Sequence, residues 1–168
     1  MKKYTIVGIG ELLFDVFPDR KALGGAPTNF AYHCQQLGHE AYSISAIGRD
    51  ALGAEIKDQL HTRGLQTILQ ENEHPTGTVL VTLSEGGVPS YEISEGVAWD
   101  YIEYTDQLEA LARRTDAVCF GSLAQRSPRS ASTIQRFLEA MPTGSLRIFD
   151  INIRLHYYTY EIVHASLE

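Results

Sequence analysis

Cysteine is nearly missing from this chain: two in 168 residues, Cys34 and Cys119, which excludes a disulfide scaffold by count. Both sit among apolar neighbours and read as buried, reduced thiols. Long hydrophobic runs are missing too. No stretch approaches the roughly 20 apolar residues that cross a bilayer, and Glu11 interrupts the apolar amino terminus before a signal-peptide core forms. Basic runs longer than the pairs Lys2-Lys3 and Arg113-Arg114 do not occur, and the formal net charge is −7. That balance argues against a nucleic-acid partner and an anionic membrane surface. The cytoplasm is the compartment these absences suggest.

Several chemical motifs are equally lacking. Gly8-Ile9-Gly10 opens like a dinucleotide fingerprint, but position 13 is leucine and an extended segment follows where a helix is required. No G-x-x-x-x-G-K-[ST] loop occurs. The six histidines, at 33, 39, 61, 74, 156 and 164, show no metal-ligand spacing. Ser122 lacks the G-x-S-x-G setting of a nucleophile and reads as a turn hydroxyl.

What is present is the composition of a globular domain, with 43% hydrophobic and 21% charged residues. YTIVGIG (4–10) reads as a strand buried on both faces, LLFDVF (12–17) as a second extended piece. Ala26, Phe30, Ala31, Cys34 and Leu37 form one helical stripe ended by Gly38. AYSISAIG (41–48) is a strand, followed by a helix with Asp50 as N-cap. Two alternating runs around Glu85-Gly86-Gly87 (78–94) predict a hairpin with one face exposed or covering something. A helix near 105–114, a strand at 117–122, a helix opened by Ser127 and Pro128, and a buried strand at 147–152 complete the series. The alternation predicts one α/β domain over 1–168: a mostly parallel sheet with helices on both faces, plus a small β-lid over about 12–22 and 78–98.

Ligands of such sheets bind beyond the carboxyl ends of the strands. There the sequence places Gly8 to Glu11 and Asp15, then Gly48-Arg49-Asp50, Gly121-Ser122, and Asp150, Asn152 and Arg154, with Gly24-Gly25 at the mouth of a helix and Asn29 one turn in. The glycine pair taken alone is a flexible turn. Beside a helix N-terminus it exposes main-chain N–H groups. Asn29 both donates and accepts hydrogen bonds, and Asp15 accepts them, so Asp15, Gly25 and Asn29 make chemical sense as a polyol site.

G-E-L-L-F-D (10–15), G-G-A-P-T-N-F-A (24–31) with L-G (37–38), I-G-R-D-A-L-G (47–53) and D-I-N-I-R (150–154) together resemble the ribokinase-like (PfkB-type) carbohydrate kinases, most closely their fructokinase branch. The resemblance implies a ribokinase-like fold and ATP-dependent phosphorylation of a sugar hydroxymethyl group, with fructose as substrate. It also implies that Asp15, Gly24, Gly25 and Asn29 hold the sugar, and that Tyr91 or Trp99 stacks on it or else simply packs in the lid. Arg154 would lie toward the phosphate, or else pair with Asp150 inside the sheet. The family's Gly-Ala-Gly-Asp motif, which supplies the anion hole and the base, does not occur here, and its Asn-x-x-Glu segment, tied to magnesium and phosphate, would follow residue 168. The expectation is therefore an incomplete domain, inactive alone, with the ATP and Mg sites outside this chain and a homodimer formed through the lid or an exposed sheet edge. The rival readings are a sugar-binding module without catalysis and a degenerate interaction protein.

Overall fold

The computed structural model describes residues 2–83, 89–153 and 156–167. Its main sheet has five strands: β1 (Thr5–Ile9), β4 (Glu40–Gly48), β5 (Gln66–Asn72), β8 (Ala117–Gly121) and β9 (Leu146–Asp150), in the order β5-β4-β1-β8-β9. Every pairing in it is parallel. β1 takes the centre because all five of its residues are buried, and only a central strand covered on both faces tolerates that.

The crossovers are α1 (Ala26–Gln36), α2 (Ala51–Thr62), α3 (Asp106–Ala112) and α4 (Pro128–Ala140). A fifth helix, α5 (Tyr160–Leu167), follows the last strand. Two apolar clusters divide the helices between the faces. Ala31 of α1 and Ile56 and Leu60 of α2 pack with Ala41 and Ile47. Leu108 and Leu111 of α3 and Ile134 and Phe137 of α4 pack with Val7, Ile9, Val118 and Phe120. Each fully buried side chain of this size contributes about 1.5–3 kcal/mol.

Asp50 caps α2 as the sequence predicts, its Oδ1 accepting from the Gly53 N–H at 2.8 Å. Ser127 stands at the N-cap position of α4, but its hydroxyl donates to the Asp100 carbonyl instead of capping the helix.

A second sheet of four strands sits at the carboxyl ends of the first. It comprises β2 (Leu13–Val16), β3 (Lys21–Gly24), β6 (Gly77–Leu83) and β7 (Pro89–Ile93), in the order β3-β2-β6-β7. β6 and β7 pair antiparallel, Val79 opposite Ile93 and Val81 opposite Tyr91. Val79, Val81 and Ile93 are buried beneath this sheet, whereas Leu80 points outward. The Glu85-Gly86-Gly87 turn expected from the sequence lies outside the described residues.

Three expectations change. β9 is no fully buried strand: Leu146 is 59% exposed, and its neighbours are exposed or half-buried, because β9 lies at the edge of the sheet. β3 and β5 are additional strands, both at the edges of their sheets, and β5 has a polar sequence. Cys119 is buried as predicted, and burial beside the Asp150 and Glu11 carboxylates pushes its thiol up to about 12. Cys34 is only half-buried.

Candidate active site

Gly8, inside β1, and Gly10, just past its end, serve packing and carry no phosphate loop. A Cβ on Gly8 would lie 1.9 Å from the Pro27 carbonyl oxygen, so the glycine lets α1 lie directly on β1. That close crossing brings the mouth of α1 to the carboxyl end of the central strand, with the second sheet above it. The hollow between them has a volume of about 210 Å³. Clefts for drug-sized ligands run from about 300 to 1,000 Å³, so this one suits a smaller molecule.

Four residues picked out from the sequence share this hollow: Asp15 from β2, Gly25 and Asn29 from the start of α1, and Tyr91 from β7. Asp15 is half-buried, and Asn29 and Tyr91 are exposed at the rim. Leu13, Val79, Ile93 and Leu123 supply apolar walls. Polar and apolar side chains thus share the lining of the hollow.

Gly24 does not line the hollow. Its bare Cα instead makes room for a site residue, since a Cβ there would stand 2.7 Å from Asp15 Oδ2. Gly25 has φ +120°, and a Cβ on it would meet the Glu11 carbonyl at 2.4 Å. Both glycines are thus required first by chain packing around the site, a reason that the sequence reading, which looked to ligand contact, did not supply.

Trp99 does not face the hollow. It is fully buried, with its indole against Gly77, where a Cβ would come within 2.3 Å of Nε1. Ser122 is the turn hydroxyl that the sequence suggested, donating to the Asn152 carbonyl at 3.0 Å. Arg154 lies outside the described residues. Asp150, at the end of β9, accepts the Ser122 N–H through its carbonyl.

Two further lining residues, Asn152 and Glu11, stand among the strand-end positions picked out from sequence but were given no role there in holding a ligand. Asn152 sits in the Asp-x-Asn-x-Arg stretch just past β9. Glu11 is 2% exposed, and burial pushes its carboxyl up to about 7, with the Asp150 charge adding to the rise. The backbone N–H groups of Glu11 and Ala26 and the Arg126 charge pull the other way. The available signal was one acidic residue inside the run Ile9 to Phe14, between two strands destined for burial.

In the unfolded chain this carboxyl titrates near its ordinary 4.5, so the folded state holds the proton more tightly. Its contribution to stability is complete below pH 4.5 and is lost as pH rises through 7. Glu11→Gln is therefore expected to match the wild type near pH 4 and to exceed its unfolding free energy by about 3 kcal/mol at pH 8. Urea denaturation across that range checks it; equal pH profiles for the two proteins contradict it.

Beside the hollow, Arg126 forms a two-pronged ion pair with Asp100, Nε to Oδ1 and Nη2 to Oδ2 both at 2.8 Å. Both side chains are more than 90% buried. The guanidinium lies over the Trp99 ring at 4.0 Å and the Tyr157 ring at 4.9 Å, and donates to the Ser94 carbonyl at 2.6 Å. This cluster fastens the segment that follows β7 to the main sheet, which fixes the height of the lid above the site.

Among the described residues no group of three His, Cys, Asp or Glu side chains is placed to hold a metal ion, and no step through magnesium is assigned to them. No helix is long and apolar enough to cross a membrane.

Comparison with known proteins bears on this geometry. A model of the pfkB family carbohydrate kinases matches residues 9–159. A sugar kinase from Pyrococcus horikoshii is 30% identical over 163 residues, covering 89% of this chain and 52% of the relative. A fructokinase from Solanum tuberosum is 27% identical, covering 93% of this chain and 54% of its own length. The crystal structure of the P. horikoshii protein in complex with ATP superposes with a TM-score of 0.82 at 27% identity, covering 96% of this chain and 58% of that one. A fructokinase from Xylella fastidiosa shares the fold, with a TM-score of 0.83 at 20% identity and coverage of 99% and 57%. The chain spans about half the length of the curated relatives it matches.

Proposed function

The chain belongs to the pfkB family of carbohydrate kinases, and from that premise we propose that it is the sugar-binding half of an ATP-dependent kinase that phosphorylates a hydroxymethyl group of fructose or a closely related ketose. The observation that carries this is the meeting of Asp15, Asn29 and Tyr91 in one small hollow at the carboxyl ends of parallel strands. In this reading the Asp15 carboxylate accepts from one or two sugar hydroxyls, the Asn29 amide bridges a hydroxyl pair, and the Tyr91 ring lies along the C–H face. Gly24 and Gly25 bring the polar atoms close enough together to act on one molecule.

Phosphoryl transfer also needs a base at the attacking hydroxyl, donors at the transferring oxygens and a metal. The Gly-Ala-Gly-Asp segment that supplies the first two in relatives is not in these 168 residues, so in this proposal that machinery and the ATP site come from residues beyond them. Arg154 is assigned to the phosphate side on the family resemblance alone. Fructokinases among the relatives support the choice of fructose. Dimerisation through the outer lid face or the β9 edge is part of the reading, supported by exposed Leu80, Leu146 and Ile153.

The test is a coupled kinase assay on the full-length gene product with a panel of ketoses, aldoses, nucleosides and sugar acids. ATP-dependent turnover of fructose is expected. Absence of turnover with every compound contradicts the kinase assignment, and turnover of another compound alone contradicts the choice of fructose.

A further inference from the structure

The Glu11 carboxyl takes the N–H groups of its own residue and of Ala26, yet one of its oxygens stays unpaired. It lines the hollow where the connection from β1 to β2 passes by the mouth of α1, and it is almost wholly buried. Among the described residues its Oε2 has no hydrogen-bond partner. A buried carboxyl oxygen left unpaired costs about 1–3 kcal/mol, and a leucine or glutamine would fill the same space without a charge.

We propose that Glu11 is a second substrate-contacting carboxyl of this site, its Oε2 accepting a hydrogen bond from a hydroxyl of the bound sugar on the side opposite Asp15. The inference rests on the sugar-site reading above and deepens it. A ligand that satisfies two carboxylates must bring several hydroxyl donors, which selects polyols and disfavours anionic molecules at this end of the site. The adjoining Asp150 carboxylate at the end of β9 strengthens that selection.

The contact has a proton-linked signature. The charged and titratable groups around Glu11 are Asp15 from β2, Tyr91 from β7, Asp150 from β9, Cys119 from β8 and Arg126 from the turn after β8; α1 contributes the neutral Asn29. Burial keeps about half of the Glu11 carboxyls protonated at neutral pH, and a hydroxyl donor favours the carboxylate. Sugar binding then sends the Glu11 proton to solvent as the hydroxyl turns its own hydrogen toward Oε2; no bond of the sugar is broken.

The experiment is calorimetric titration of D-fructose into the 168-residue chain at pH 6, 7 and 8, in buffers of different ionisation enthalpy. The wild type is expected to release up to about half a proton per sugar at pH 7 and to bind about tenfold more tightly at pH 8 than at pH 6. Glu11→Gln is expected to release none, to lose the pH dependence, and to bind about tenfold more weakly at pH 8. If the variant fails to fold, the proton release of the wild type still decides. Fructose binding with no proton release, or with proton uptake, overturns the role of Glu11 and leaves the sugar site standing. Equal affinities for wild type and variant do the same. Absence of fructose binding to the wild type overturns both.

Discussion

Arg126→Met is expected to lower the free energy of unfolding by about 3–5 kcal/mol, the cost of breaking a buried ion pair from one side. The arginine is more than 90% buried, and its partner Asp100 is equally enclosed. Removing the cation leaves the carboxylate with only the Val97 N–H at 3.1 Å as a described hydrogen-bond donor. The guanidinium also fills the gap between the Trp99 and Tyr157 rings, so its loss opens a packing defect that methionine fills only in part. Trp99, the one tryptophan of the chain, reports the change directly, because the cation lies on its ring. Urea unfolding followed by tryptophan emission measures the loss. The double variant Arg126→Met with Asp100→Leu should recover much of it, since a matched apolar pair avoids burying an uncompensated charge. A single-variant loss below 1 kcal/mol means that the pair is not closed in solution.

Asp15→Ala carries the second large effect, on affinity and not on folding. A hydrogen bond to a charged group is worth about 1.5–3 kcal/mol, so fructose binding should weaken by about 10- to 150-fold. The side chain is half-buried at the rim, and the melting temperature should move little. Asp15→Asn should restore part of the affinity, because the amide oxygen still accepts one bond. Should Asp15→Ala bind fructose as the wild type does, Asp15 is a lid residue that shapes the sheet and touches no sugar.

The parts of this molecule that can be read from its sequence are those whose pattern repeats. The apolar stripe from Ala26 marks α1, although its last member, Leu37, lies past the helix and is 73% exposed; Asp50 marks the start of α2, and the unbroken apolar run of β1 marks the sheet centre. β5 was not legible because Gln66, Gln70 and Glu71 give its sequence the polarity of a loop; its place at the edge of the sheet permits them. The same cause, acting in reverse, misleads at β9. Ile148 and Phe149 read as a buried strand, and nothing in a sequence says that a strand stands last in its sheet.

At the site, Asp15, Gly25 and Asn29 were legible from chemistry and Tyr91 from the family resemblance. Glu11 was legible only as one of the residues that follow β1; its significance depends on burial, which the sequence does not show. Trp99 failed for the opposite reason: an aromatic beside a lid suggests stacking on a ligand, whereas Gly77 leaves exactly the space that the indole needs inside the core.

The central claim is that Asp15, Gly25, Asn29 and Tyr91 act on one small polyhydroxylated molecule. The most direct measurement is an amide and side-chain NMR titration of this chain with D-fructose. The account predicts saturable shifts confined to the Gly25 N–H, the Asn29 side-chain amide and the amides around Asp15 and Tyr91. Shifts centred elsewhere, for instance on the hollow beside Arg126 and Tyr157, or no shifts at all, would contradict it.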